Sequence, residues 1–583
     1  MIGVYAQTEL GHGSNVRGLN TTAHYDKATQ EFVLHSPSLQ AIKWWVSGLG
    51  KVATHALVYA QLILDGKEHG VHIFMTQLRD EHHRPLPGIE VGDVGPKLGD
   101  HANDTGFLRL DHVRVPREHM LSRWQHVTAD GEYVKSERKT NPKVHYATMV
   151  FARGGMIKGA GGFLARSVTI AMRYSCVRHQ GFVNTKDTPS YTAPELPVIE
   201  YRVQRYRLFK QLALAYAIRF IGNWMLSQFA NIDSLEDLSS LPEIAATAAG
   251  LKGLTTFLAA QGMEDLRKCC GGHGYLMASG VAAHAVDYVW QTTAEGDYIV
   301  MMLQCARFLM KSLRAAKAGK PTPGPCSYLT VLQNPAVDLA ALAPKPAASL
   351  EQACDPTHLL ALYKYRSLVA VASVGDELDK KFAAGVSFDE AWNDCALELV
   401  NAVRAHCLGF MLEMFHQEAQ AIEDLPCRTA CTKLCAVYAI SNILDDQWDG
   451  LISHSQLHLL RLAMRKLTDD LRPDAVTLVD AFDIPGMNTT SHPTTHDISL
   501  TISHSRYLTH DISLTHLVYA TDRVLQSALG RYDGNVYEAL YEAALKSELN
   551  RTDPFEGYNE YLRRFLDLDM IRAGNVVLPE ARL

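Results

Sequence analysis

The 583-residue sequence has no apolar run that reaches the ~20 residues a membrane-spanning helix needs, so no transmembrane span is expected. It also lacks any dense block of Lys and Arg. With 56 basic against 63 acidic residues the net charge is −7, and no phosphate-tracking surface is expected, hence no nucleic-acid partner. Cysteine is sparse: eleven residues lie scattered along the chain with no secretory segment ahead of them, which argues for reduced thiols in an intracellular compartment. Cys427, Cys431 and Cys435 recur at i, i+4, i+8 and would share one helix face. Buried packing accounts for them better than zinc, which favours shorter Cys pairs or His partners, so no metal is expected.

What is present is an ordinary globular composition, 47% hydrophobic and 20% charged, in a chain too long for one core. Residues 1–140 carry short β-type runs punctuated by Gly, Asn, Asp and Pro, among them EFVLHSP, HALVYAQLIL and GVHIFMTQL, and predict a β-barrel or sandwich. Residues 141–317 change to long segments with apolar residues three or four apart and predict a helical bundle, in which Gly271 and Gly272 end one helix at GGHGY. Residues 318–352 are Pro-rich and read as a linker or irregular arm, and residues 353–583 as a second helical domain. The fold class is therefore α+β, mostly α. Within 491–523 the hexapeptide HDISLT occurs twice and His492, His496, His504, His510 and His516 crowd together; their spacing fits no compact ligand set, and a disordered insertion is expected.

Four stretches can carry chemistry. In YAQTELGHGSNVRGL a strand feeds a turn with Gly11, Gly13 and Gly18 beside the hydroxyls of Thr8 and Ser14, which either joins a hairpin or lets backbone N–H groups approach a planar or phosphorylated ligand. In AIKWWVSGLGK, Trp44 and Trp45 on a strand would face opposite ways, one of them an aromatic wall, while Ser47, Gly48 and Gly50 keep the backbone accessible. Arg178, at the end of a long helix, is either a pyrophosphate ligand or a surface cation favoured by the helix C-terminus. Glu295 stands in AEGDYIVMMLQCARFLM, ahead of an apolar helix and with no Lys or Arg close in sequence. A carboxylate among apolar neighbours becomes a usable base, but capping is the alternative; with Asp297 two residues on, one acid can cap the helix while the other stays free.

At these residues the chain resembles the acyl-CoA oxidases, peroxisomal flavoenzymes of the acyl-CoA dehydrogenase superfamily. YAQTELGHGSNVRGLNTTAHYD, AIKWWVSGLGK, MVFARGG, RYSCVRHQ, CGGHGYLMASG, AEGDYIVMMLQCARFLMK and SALGRYDGNVYEALYEAALKSELN occur in the family's order, and only the 486–523 region stands apart. The resemblance implies an FAD cofactor, with Thr8 bonding the flavin ring, Ser47 and Gly48 beside it, Arg178 near the FAD phosphates and Glu295 the catalytic base. It implies oxidation of fatty acyl-CoA by molecular oxygen to trans-2-enoyl-CoA and hydrogen peroxide, in a homodimer. The closing Ala581-Arg582-Leu583 then reads as a peroxisomal address for an import receptor. The sequence departs from the family in starting at the β-domain without the preceding helical domain, in Tyr298 where Asn is usual, in Ser47 where Gly is usual, and in the insertion. An acyl-CoA dehydrogenase passing electrons to a flavoprotein, and a truncated non-catalytic remnant, remain the alternative expectations.

Overall fold

A strand turns successive side chains to opposite faces, and HALVYAQLIL buries one of them over its whole length: Ala56, Val58, Ala60, Leu62 and Leu64 are buried. The computed structural model describes residues 1–101, 103–135, 144–182, 193–230, 240–446, 448, 450–484, 527–531 and 533–545. The His-rich repeat, the 491–523 insertion and Ala581-Arg582-Leu583 lie outside the described residues.

The strands of the first 135 residues are β1 (Gly3–Ala6), β2 (Thr22–Asp26), β3 (Glu31–His35), β4 (Lys43–Val46), β5 (His55–Leu64), β6 (Lys67–Gln77), β7 (Ile89–Asp93), β8 (Gly106–Leu110), β9 (Val113–Pro116), β10 (Gln125–Val127) and β11 (Tyr133–Lys135). One sheet runs β1-β5-β2-β3-β9, with β6 also on β5, and a second runs β4-β8-β7. β5 pairs parallel with β1 from His55 and with β2 from Gln61, and antiparallel with β6. Ala6, Phe32, Leu62 and Phe74 of the first sheet and Val46, Ile89, Leu108 and Leu110 of the second lie in one core. This is the two-sheet solution of the expected β-domain.

The helical part comprises α1 (Val144–Val177), the β12–β13 pair (His179–Phe182 with Glu195–Pro197), α2 (Arg202–Ala230), α3 (Leu241–Cys269), α4 (Val281–Tyr288), α5 (Tyr298–Lys317), α6 (Leu350–Ala353), α7 (Pro356–Ala383), α8 (Phe388–Asp394), α9 (Ala396–Ala421), α10 (Leu425–Asp445), α11 (His454–Leu471), α12 (Ala475–Asp480) and α13 (Val536–Leu545). The fold is α+β. α3 stops before GGHGY as expected, but only Gly271 takes a left-handed φ, +59°. The glycine that the turn cannot replace is Gly274, where a Cβ would lie 2.0 Å from the Arg267 carbonyl oxygen. Within the Pro-rich stretch, Gly324–Gln333 forms a 3₁₀ segment that buries Pro325, Cys326, Leu329 and Leu332. Cys431 and Cys435 are buried in α10 and Cys427 is exposed.

No single helix among the described residues is long and apolar enough to cross a membrane. Two compact units can be told apart. The first holds residues 1–162, 214–260 and 286–463; the second holds 163–213, 261–285 and the described residues from 464 onward.

Candidate active site

Thr8, Ser47, Gly48 and Glu295 all belong to the first unit, whereas Arg178 belongs to the second. Thr8 follows β1 and exchanges backbone bonds with the start of β4: the Trp44 N–H donates to the Thr8 carbonyl at 2.9 Å, and the Thr8 hydroxyl donates to the Trp44 carbonyl at 2.6 Å. With its proton committed, the hydroxyl is left as an acceptor for a ligand N–H.

The loop between Thr8 and β2 is organised from within. Glu9 is 2% exposed, and its carboxylate accepts from the Asn20 N–H (2.8 Å), the Thr21 N–H (2.9 Å), the Thr21 hydroxyl (2.6 Å), His12 Nδ1 (3.0 Å) and Lys43 Nζ (3.0 Å). The amides of Asn20 and Thr21, just past the Gly-rich turn, therefore serve Glu9. Burial pushes the Lys43 ammonium down to about 8 while Glu9 opposes the change. Burial works against the Glu9 charge too, yet Lys43 and the Asn20 and Thr21 donors hold it below the usual carboxylate range.

β4 is not the regular strand expected for the tryptophan pair. Its register with β8 slips between Lys43 and Val46, and Trp45 sits at φ +70°, so Lys43 and Val46 turn inward with both tryptophans between them. Trp44 stacks on Phe107 at 5.6 Å and 21°, and Trp45 is 62% exposed. Next, the exposed Ser47 turns its hydroxyl to Asn103, 2.7 Å from Nδ2 and 2.9 Å from Oδ1. Gly48 follows at φ +74°, a conformation that favours glycine, and Asp104 accepts from the Lys51 and Val52 N–H groups at 2.6 and 2.9 Å to close the turn.

The two acids ahead of α5 divide the roles. Asp297 caps the helix, accepting from the Val300 N–H at 3.0 Å, and Glu295 is left free. Glu295 is exposed, at φ +56°. This corrects the expectation of an apolar enclosure: the carboxylate projects from the turn, and the apolar run begins only with α5. The cations missing nearby in sequence arrive from other helices. Arg153 of α1 and Lys252 of α3 both interact electrostatically with Glu295, as does Tyr5 of β1. Lys252, fully buried, donates to the carbonyls of Ala294 and Gly296, each at 2.6 Å. Burial, then Arg153, push its ammonium down to about 8 against the pull of Glu295 and Asp297. Tyr298, the residue usually Asn, stacks on Phe257 at 4.7 Å and 23° and bonds to Arg404, whose guanidinium holds Asp446 at 2.9 Å.

Arg178 directs its guanidinium to Gln180 Oε1 (3.0 Å) and the Tyr537 hydroxyl (3.2 Å). In the same unit Tyr275, at the end of the GGHGY turn, is 79% exposed, and Met277, two residues on, is 66% exposed. Among the described residues, His35, Asp111 and His112 bring metal-type donor atoms within 4.8 Å of one another, but the two imidazoles stack at 4.0 Å and His112 already bonds Asp111.

Sequence reasoning missed Glu9, Lys43, Arg153 and Lys252. A usable signal existed: each is a lone charge in an otherwise apolar or Gly-rich stretch, which must find a partner elsewhere when the stretch is buried. The residues of the first unit fit a flavin ring, since they offer an acceptor hydroxyl at Thr8, an exposed indole at Trp45 and a side-chain-free backbone at Gly48.

Known proteins resemble this chain along most of its length. The family profile "Acyl-CoA oxidase, C-alpha1 domain" matches residues 146–310, "Acyl-CoA oxidase" matches 355–492 and 504–567, and "Acyl-CoA dehydrogenase, middle domain" matches 4–113. Peroxisomal acyl-coenzyme A oxidase 1 of Phascolarctos cinereus is 38% identical over 571 residues, covering 97% of this chain and 79% of the relative; the Homo sapiens protein of the same name is 38% identical over 566 residues, covering 96% and 79%. Among solved structures, Arabidopsis thaliana acyl-CoA oxidase 1 superposes with a TM-score of 0.84 at 39% identity, covering 97% of this chain and 80% of that one. A Caenorhabditis elegans acyl-CoA oxidase-1 complexed with FAD and ATP gives 0.81 at 33%, covering 97% and 78%. The chain belongs to the acyl-CoA oxidase family.

Proposed function

We propose that this chain oxidises fatty acyl-CoA at the α and β carbons with molecular oxygen, giving trans-2-enoyl-CoA and hydrogen peroxide in peroxisomal fatty acid β-oxidation, with Glu295 as the base. The observation that carries the assignment is the division of labour at the α5 turn. Asp297 satisfies the helix end, so Glu295 has no structural duty and points its carboxylate outward on a turn pinned by Lys252. In this reading Glu295 takes the α-proton of the thioester, and Arg153 and Lys252 compensate the carboxylate charge between turnovers. Bound FAD supplies the acceptor for the β-hydride and the route of those electrons to oxygen. Thr8 orients the ring through its hydroxyl, Ser47 and Gly48 let it approach the backbone, and Arg178 serves the phosphates. Residues 1–140 then contact flavin and acyl-CoA, and residues 141–317 supply the base.

The exposed apolar turn at Tyr275 and Met277 supports assembly as a homodimer, and Ala581-Arg582-Leu583 supports recognition by the peroxisomal import receptor. The deciding experiment measures palmitoyl-CoA-dependent peroxide release by the wild type and E295Q. E295Q should retain bound FAD and lose about 10²–10⁴-fold in turnover, because the amide keeps the shape but accepts no proton. Unchanged turnover would remove Glu295 from the mechanism. Flavin reduction without peroxide would point to a dehydrogenase, and a colourless purified protein to the remnant.

A further inference from the structure

Lys252 is the one charged residue of α3 between Glu243 and Glu264, a charge the helix has no local reason to carry. The side chain is fully buried, its burial disfavours the charge, and the neighbouring Arg153 disfavours it further. What it receives in exchange is specific. Nζ donates to the carbonyls of Ala294 and Gly296, both at 2.6 Å, and these are the carbonyls of the residues immediately before and after Glu295. Charge-assisted bonds of this length are among the stronger polar contacts a protein makes.

The approach is built in. Gly253 beside it lets α3 run against the start of α5, since a Cβ at Gly253 would meet the Tyr298 carbonyl at 3.3 Å and Met301 Cβ at 3.1 Å. Glu295 itself holds a left-handed φ of +56°, which a residue with a side chain adopts at some cost. A backbone in that state persists when its surroundings over-determine it, and bonds to the carbonyls of both neighbouring residues contribute to that.

We propose that Lys252 is a positioning residue for α-proton abstraction: by clamping the carbonyls on both sides of Glu295 it fixes the direction in which the carboxylate leaves the turn. The inference rests on Glu295 being the base. It differs from a role in folding alone, because a clamp acts on the chemical step whereas a mere buried partner acts on stability.

The test compares wild type, K252M, K252R and E295Q as flavin-loaded enzymes, measuring flavin per chain, Tm, KM, kcat and anaerobic single-turnover flavin reduction. K252M should keep KM and flavin content within about twofold while kcat and the reduction rate fall at least tenfold, the scale expected when a reacting group is misdirected by about an ångström. K252R, whose guanidinium can again donate to both carbonyls, should be faster than K252M. A smaller fall in kcat, loss of flavin from a folded K252M, or a K252R no faster than K252M overturns the proposal. If K252M does not fold, K252Q, a shorter and uncharged donor able to reach at most one carbonyl, replaces it under the same tenfold criterion. E295Q separates the two readings: wild-type turnover in E295Q sinks the base assignment, whereas an inactive E295Q beside a fully active K252M sinks only the role of Lys252.

Discussion

Single residues at this site are held in ways that neighbouring sequence does not announce. Glu9 and Lys43 form a fully desolvated pair whose members are not equivalent. Removing the lysine leaves Glu9 with four donors besides it, from Asn20, Thr21 and His12; removing the acid leaves an ammonium with only the Gln7 carbonyl, at 3.1 Å. E9A should therefore cost about 3–5 kcal/mol, the scale of a buried charge stripped of its partner, and K43M less. Urea unfolding of the two variants checks this, and an E9A protein at least as stable as K43M contradicts it. The sequence marked Thr8, Ser47, Gly48 and Glu295 as candidates, because turn glycines and an acid ahead of a helix leave local marks. Lys252 showed only as a lone charge in an apolar stretch, and its partners could not be read, since they are carbonyls 42 and 44 residues away and carbonyls have no residue type.

At the level of elements, a short β-type run bounded by turn residues predicted β5 and the apolar spacing predicted α1, α2, α3 and α5, because composition and period act along one segment. The bulge in β4 escaped, being a matter of how Lys43 and Val46 register with Leu108 and Gly106 on another strand. α9 carries a further consequence of burial. His406, 4% exposed and bonded through Nδ1 to the Tyr328 hydroxyl at 3.1 Å, is pushed down to about 4 by desolvation. In the unfolded chain it protonates near 6.5, so between pH 6.5 and 4 the unfolded state binds more protons and stability falls as pH falls. The slope from this one group is at most about 1.4 kcal/mol per pH unit. Replacing it by Phe should flatten the stability profile between pH 6.5 and 4.5, above most carboxylate titrations; an unaltered slope, read from urea midpoints, would show that His406 does not titrate in this way.

Across the whole molecule, acids that ionise with difficulty are spread through both units. Burial pushes Cys269 and Cys326 up to about 12, Cys431 up to about 11 and Tyr174 up to about 12, from ordinary values of 9.0 and 10.0. Above those ordinary values the unfolded chain has released protons that the folded chain retains, so these groups make stability fall as pH rises. Lys43 and Lys252, at about 8 folded against 10.5 ordinarily, act the other way up to pH 10.5. The expected outcome is a urea midpoint that declines between pH 10.5 and 11.5, where the two lysines no longer oppose the acids and Arg166, pushed down by burial to about 10, is outnumbered by them; a midpoint that holds or rises would contradict it. The surroundings of Tyr298 bear on a different matter, the transfer of parts between relatives. Its ring lies on Phe257 of α3, its hydroxyl meets Arg404 of α9, and the lysine on α3 grips the two peptides just ahead of it. The smallest exchangeable cassette that carries the base is thus not the AEGDY loop but a set drawn from three helices. A chimera that swaps the loop alone for a relative's EGDN version would inherit the acid and lose the fittings that aim it.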